Sequence, residues 1–169
     1  MKHSAIILLL FLFSCGGTER KLPVVQNVDL QKYMGKWYEI GRFPNRFERG
    51  LHCVTATYSI REDGDVKVLN AGQNSEGKKS ESEGHAWAPD PSQTGALKVQ
   101  FFWPFNGDYL ILDLDENYSA ALVGSPDLDY LWILCREQTI AEDLRKRFLD
   151  KAEELGFDIG RIEWIKQDC

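Results

Sequence analysis

Between Lys36 and Arg136 the apolar residues recur with a period of two, and turn chemistry cuts the alternation at short intervals. A period of two means strands with two distinct faces, one for a core and one for solvent. The cuts are Glu62-Asp63-Gly64-Asp65, Asn74-Ser75-Glu76-Gly77, Asp90-Pro91, Asn106-Gly107-Asp108, Asp115-Glu116-Asn117 and Ser125-Pro126-Asp127, all compositions that favour turns. The pattern predicts strands near 36–43, 52–61, 65–73, 78–88, 95–103, 108–114, 117–124 and 129–136. Such strands, joined by short hairpins, either close into an up-and-down barrel or stack as a sandwich. No internal repeat or low-complexity segment interrupts them.

After Arg136 the period changes. Thr139-Ile140-Ala141-Glu142 has the spacing of a capping box, and Ile140, Leu144, Phe148, Ala152 and Leu155 fall at helical intervals. Gly156 supplies a C-terminal stop. This predicts one helix whose apolar stripe packs outside the β structure. Phe157 to Trp164 then reads as a short returning strand. On the other side, Asp29 to Met34 reads as a helical turn before Gly35 releases the chain into the first strand.

The N-terminus is a separate matter. Residues 1–14 combine Lys2 with the apolar run from Ile6 to Phe13, too short to span a bilayer and typical of a signal-peptide core. Leu12-Phe13-Ser14-Cys15-Gly16 resembles a bacterial lipobox, in which the cysteine becomes the lipid-modified first residue. The alternative is an ordinary cleaved signal with an incidental cysteine. Multiple acyl chains, at ~0.8 kcal/mol per buried methylene, anchor a protein to a membrane without a spanning helix. By that resemblance, Gly16 after the cysteine favours the outer membrane, with the domain facing the periplasm. Residues 15–30 are polar, contain Pro23 and read as a tether, leaving 31–169 as one domain.

The net charge is −6, or −7 once Lys2 is removed, with no basic patch, so nucleic acid is a poor partner. At 43% hydrophobic and 12% aromatic, the chain has ample material for a core. No Cys-x-x-Cys or His-rich spacing supports a metal site, and no cofactor motif is present. Cys135, in Leu131-Trp132-Ile133-Leu134-Cys135, reads as a small buried hydrophobe. An exported chain permits Cys53 and Cys169 to bridge.

Three separated motifs carry a family resemblance: Gly35-Lys36-Trp37, Gly124-Ser125-Pro126-Asp127-Leu128-Asp129-Tyr130, and Leu134-Cys135-Arg136. In this order, with a helix following, they are similar to those of the lipocalins, especially the bacterial outer-membrane lipocalins and apolipoprotein D, from about Val24 to Cys169. The resemblance implies an all-β fold: an eight-stranded antiparallel up-and-down barrel with one C-terminal helix outside. It implies that Arg136 covers the Trp37 ring and closes the barrel, with Gly35, Trp37 and Arg136 structural. It also supports the Cys53–Cys169 bridge, through a similar one in apolipoprotein D. Likeness to apolipoprotein D suggests Tyr58, Asn70 and Trp132 as pocket residues.

Alternation adds further candidates. Trp132 shares a face with Leu134 and Arg136, and Glu39 shares one with Trp37. On the fifth strand, Leu97, Val99, Phe101 and Trp103 form the more apolar set and are expected inward. The sixth strand stays open between Tyr109/Ile111 and Leu110/Leu112/Leu114. The function implied is carriage of a hydrophobic small molecule, a fatty acid or lysophospholipid, for transport, storage or envelope repair. Two rivals stand beside it. One is an enzyme on the same fold, using Glu39 with Tyr58 or a free Cys135, although no catalytic triad or nucleophile elbow is present. The other is an interaction module or homodimer using the lip Phe102-Trp103-Pro104-Phe105.

Overall fold

The structure is a computed structural model describing residues 21–169. The leader and Cys15 lie outside the described residues. Eight antiparallel strands run β1 (Gly35–Arg42), β2 (His52–Ile60), β3 (Val66–Gln73), β4 (Lys79–Trp87), β5 (Ala96–Phe102), β6 (Phe105–Leu114), β7 (Ala120–Gly124) and β8 (Leu131–Cys135). Each pairs with the next, and β1 pairs with both β2 and β8, so the sheet closes on itself. Closure removes the free edges and leaves an interior that eight strands keep narrow. The barrel reading is therefore correct and the sandwich is excluded.

The alternation sorts side chains into two clusters. Trp37, Ala56, Tyr58, Val66, Val68, Ala86, Ile111, Val123 and Leu134 pack inside. Leu110, Leu112, Leu122, Ile133 and Cys135 face outward, where α2 (Glu142–Glu154) covers them with Phe148 and Ala152. Strand β6 shows why its faces could not be assigned from the pattern. A register shift between Ile111 and Asp113 leaves Tyr109 and Ile111 inside, sends Leu112 outward, and returns Leu114 to the inner cluster. A bulge adds one residue to one strand and so reverses the parity beyond it.

The helix ends as expected and begins otherwise. Phe157 N–H donates to Ala152 O and Gly156 N–H to Glu153 O, a Schellman closure for which Gly156 adopts φ +94°. At the N-terminus the capping box is not formed. The N-cap is Ala141, with no side-chain hydrogen bond, while the Thr139 carbonyl accepts from Cys135 Sγ. The chain is still leaving the barrel at Thr139, so the helix starts two residues late. Glu142 and Asp143 in the first turn complement its dipole instead.

Both terminal segments are more closely bound to the barrel than the sequence suggests. Residues 22–28 are not a free tether: Leu22 and Val28 are buried, and Val25 N–H donates to Ile111 O. The expected strand over 157–164 shrinks to a 3-10 turn at Ile159–Arg161 and β9 (Glu163–Trp164), which pairs with β1 at Gly41 and Arg42. Beyond Tyr38, β1 leaves β2, and the C-terminal segment fills the gap. Ile165 N–H donates to Ile40 O and Cys53 N–H to Lys166 O. The Gln167 side-chain amide donates to Glu39 O and Val54 O. The Cys53–Cys169 disulfide, with Cα atoms 6.2 Å apart, ties this seam.

Candidate functional site

The barrel floor is built from the first turn of chain and the last residues of β8. Asp29 caps α1 (Leu30–Tyr33) by accepting from Gln31 and Lys32 N–H. The α1 carbonyls need partners at its other end, and Arg136 provides them. Its guanidinium donates to the carbonyls of Lys32, Tyr33, Met34, Lys36 and Tyr118. It also lies 3.8 Å from the centre of the fully buried Trp37 ring, while Trp37 Nε1 donates to Tyr33 O. Gly35 adopts φ +97°, and a Cβ there would stand 3.2 Å from Arg136 Nη1. Only glycine meets both conditions easily.

Above this floor lies a cavity of about 700 Å³, its open mouth included, lined largely by apolar side chains of β1–β6 and β8. Tyr58, Asn70, Trp132, Glu39, Val99 and Phe101 all line it, as does Leu97. Trp103 does not. The inward alternation holds through Phe101, but β5 ends at Phe102, where its register against β6 has shifted. Trp103 and Pro104 then form the β5–β6 turn, because proline has no N–H to extend the ladder. Trp103 is consequently 85% exposed, in a lip with Phe102, Phe105 and, from the β1–β2 loop, Phe47.

Two polar residues of the cavity, Tyr33 and Glu48, were missed, and Tyr109 belongs to the inward set of the sixth strand that the pattern left open. Tyr33 and Tyr109 join Tyr58 in a hydroxyl chain, with O···O distances of 2.8 Å for Tyr33–Tyr109 and 3.0 Å for Tyr58–Tyr109. Burial holds all three phenols above their ordinary range. Glu48 comes from the β1–β2 loop, where no periodicity points. Asn45 Oδ1 accepts from Phe47 and Glu48 N–H, turning the loop back. Glu48 Oε2 then accepts from Asn45 Nδ2 at 2.6 Å and from Trp132 Nε1 at 3.1 Å. Arg42, itself buried, donates to Glu48 O and Leu51 O and to Glu39 Oε1 at 2.7 Å. Glu39 is 3% exposed. Burial first and the neighbouring Glu48 second hold its carboxyl well above the usual carboxylate range, against the opposing pull of Arg42.

Cys135 faces the helix side, in the outer cluster, away from the cavity. His52, Cys53 and Cys169 converge, but the two cysteines are bonded to each other and have no thiolate to offer a metal. Among the described residues no helix is long and apolar enough to cross a membrane.

A barrel plugged at one end by a stacked Trp–Arg pair, with an apolar cup open at the other, defines the class of β-barrel carriers of small hydrophobic molecules. The chain belongs to the lipocalin family: residues 28–167 match the family model of the lipocalin-like domain. It is 48% identical over 149 residues to the outer membrane lipoprotein Blc of Escherichia coli K12, covering 88% of this chain and 84% of that one. It is 36% identical over 128 residues to apolipoprotein D of Macaca fascicularis, covering 72% and 67%. Among solved structures, insecticyanin from the tobacco hornworm Manduca sexta superposes with a TM-score of 0.71 at 21% identity, over 86% of this chain and 84% of that one.

Proposed function

We propose that this lipocalin binds and carries a single-chain lipid, a fatty acid or lysophospholipid, in its cup. The observation that supports this most is the cavity itself: closed below by Trp37 and Arg136, apolar along its wall, and open where the lip aromatics stand. Burying a dozen methylenes there contributes on the order of 10 kcal/mol before the costs of association. Tyr58, Asn70, Trp132, Glu39, Val99 and Phe101 are the proposed ligand contacts. Trp103 is left to the lip. We further propose that lipid on Cys15 holds the mature chain on the outer membrane, a reading supported by the name of the Escherichia coli relative, and that the domain faces the periplasm. Scavenging, transfer or repair of envelope lipids is the matching role, and catalysis has no part in it.

Titration with fatty acids and lysophospholipids, followed by tryptophan fluorescence, tests carriage. Saturable binding that Trp132→Glu abolishes supports it, and no binding of either class overturns it. Replacing Cys15 by Ala tests the anchor: the mature protein should leave the membrane fraction. A second reading rests on the lip, where Phe47, Phe102, Trp103 and Phe105 are all exposed. An apolar patch of that kind meets lipid or a partner, including a second copy. Sedimentation of the Trp103→Ser variant against wild type distinguishes a dimer lost from a monomer unchanged.

A further inference from the structure

The cup is polar at its deepest point. Leu30, Tyr33 and Met34, from the segment that forms the floor, line the cavity together with Tyr58 and Tyr109. The Tyr33 ring lies 4.9 Å from Trp37 and 5.6 Å from Tyr58, centre to centre. The hydroxyl chain Tyr33–Tyr109–Tyr58 therefore stands just above the plug, where the far end of a lipid tail comes to rest.

The protons of that chain can be counted. Each phenol carries one proton and two lone pairs, and Tyr109 bonds to both of the others. Two bonds use two of the three protons. Whichever way they point, the third has no acceptor among the described residues, and several lone pairs stay open. Burial holds all three phenols above their ordinary range, so none ionises near neutral pH to remove that proton. Nor does a cation reach the spot. Among the described residues no lysine, arginine or histidine lines the cavity, and Arg136 is stacked on Trp37 and committed to backbone carbonyls.

Resting on the carriage reading above, we infer that the floor selects acyl chains whose tail ends in a neutral hydroxyl. A methyl end leaves the spare phenol proton buried and unpaired, which is costly. A terminal hydroxyl accepts that proton and donates its own to an open tyrosine oxygen. A carboxylate in the same place accepts the proton but finds no counter-charge, and a buried unpaired charge is costly. To enter neutral at pH 7, a carboxyl has to hold its proton far above its ordinary value of about 4.3. The ligand class is thus a single-chain lipid oxygenated at the far end of its chain, with its head group at the mouth.

The test uses the whole mature chain carrying Cys15→Ser, stripped of lipid, at neutral pH. Dodecanoate, ω-hydroxydodecanoate, α-hydroxydodecanoate and dodecanedioate, each below its micellar concentration, compete with the fluorescent apolar probe N-phenyl-1-naphthylamine. The ω-hydroxy acid should bind at least about threefold more tightly than dodecanoate. The α-hydroxy acid, whose hydroxyl stays at the mouth, should match dodecanoate, and the dioate should bind more weakly. Replacing Tyr33, Tyr58 and Tyr109 together by Phe keeps the packing and removes every hydroxyl. In that variant the ω-hydroxy acid should become the weaker ligand by about tenfold, the cost of burying an unpaired hydroxyl. The comparison within wild type carries the test if the triple variant does not fold. An ω-hydroxy acid that binds no more tightly than dodecanoate overturns the inference while leaving carriage intact. An equal gain from the α-hydroxyl or the dioate also overturns it, as does a preference that survives the triple substitution. A lysophospholipid that displaces the probe when none of the four acids does overturns this inference alone. If neither the acids nor the lysophospholipid displaces it, the carriage reading falls and this inference with it.

Discussion

Arg136 does more at the floor than stack on an indole. Its contact with Trp37 is a cation–π pair worth ~1–2 kcal/mol. Its bonds to the α1 carbonyls satisfy groups that would otherwise be left over at a helix end. Arg136→Met should therefore cost about 2–4 kcal/mol in denaturant titration. Arg136→Lys should recover only part of that, since a lysine cannot reach several carbonyls in one plane. Glu39 gives a pH signature of its own. Its carboxyl is protonated more readily in the folded state than in the unfolded one. The native chain thus binds the extra proton, and stability falls as pH rises from about 4.3 through the shifted value. Melting temperature measured from pH 4 to pH 8 should show that decline, and Glu39→Gln should flatten it. A variant whose slope matches wild type would assign the decline to other groups.

At the scale of elements, the strands were legible because each buries one face, and the bulges were not. The shift at Ile111–Asp113 changes parity without any glycine or proline at the site to announce it, whereas β5 keeps its parity through Phe101 and simply stops at Phe102, ahead of Pro104. The end of β5 puts Trp103 in a turn, and the shift in β6 left both of its faces open. Glu48 and Tyr33 were missed for a different reason: they sit in a loop and a single helical turn, where side-chain direction follows local hydrogen bonds rather than a repeat. The Thr139 capping box had the right letters, but the chain leaving β8 was not yet helical there. Gly35, Trp37 and Arg136, by contrast, could be found because three separated motifs named them together. The seam between β1 and β2 offers a prediction at this scale. Cys53–Cys169 closes a loop of sequence separation 116, worth about 4–5 kcal/mol in the chain-entropy model. Cys53→Ser should lower stability by up to that amount. Intact-mass alkylation of the native, unreduced wild type should show no reaction at these two cysteines; labelling of both would contradict the bridge.

For the whole molecule, the order of construction is also the order of function. Closure of the sheet leaves a narrow interior, the floor seals one end, and the β1–β2 loop brings Glu48 over the other. The lip aromatics surround an entrance rather than a core, which is why an inward reading of Trp103 failed while the carriage reading did not depend on it. The central claim is that the cup holds a single-chain lipid. Native mass spectrometry of the Cys15→Ser chain, expressed in bacteria and never delipidated, tests it most directly. The account predicts a co-purified adduct of lipid mass that disappears in Trp132→Glu. A clean apo mass that also ignores added fatty acids and lysophospholipids would contradict it.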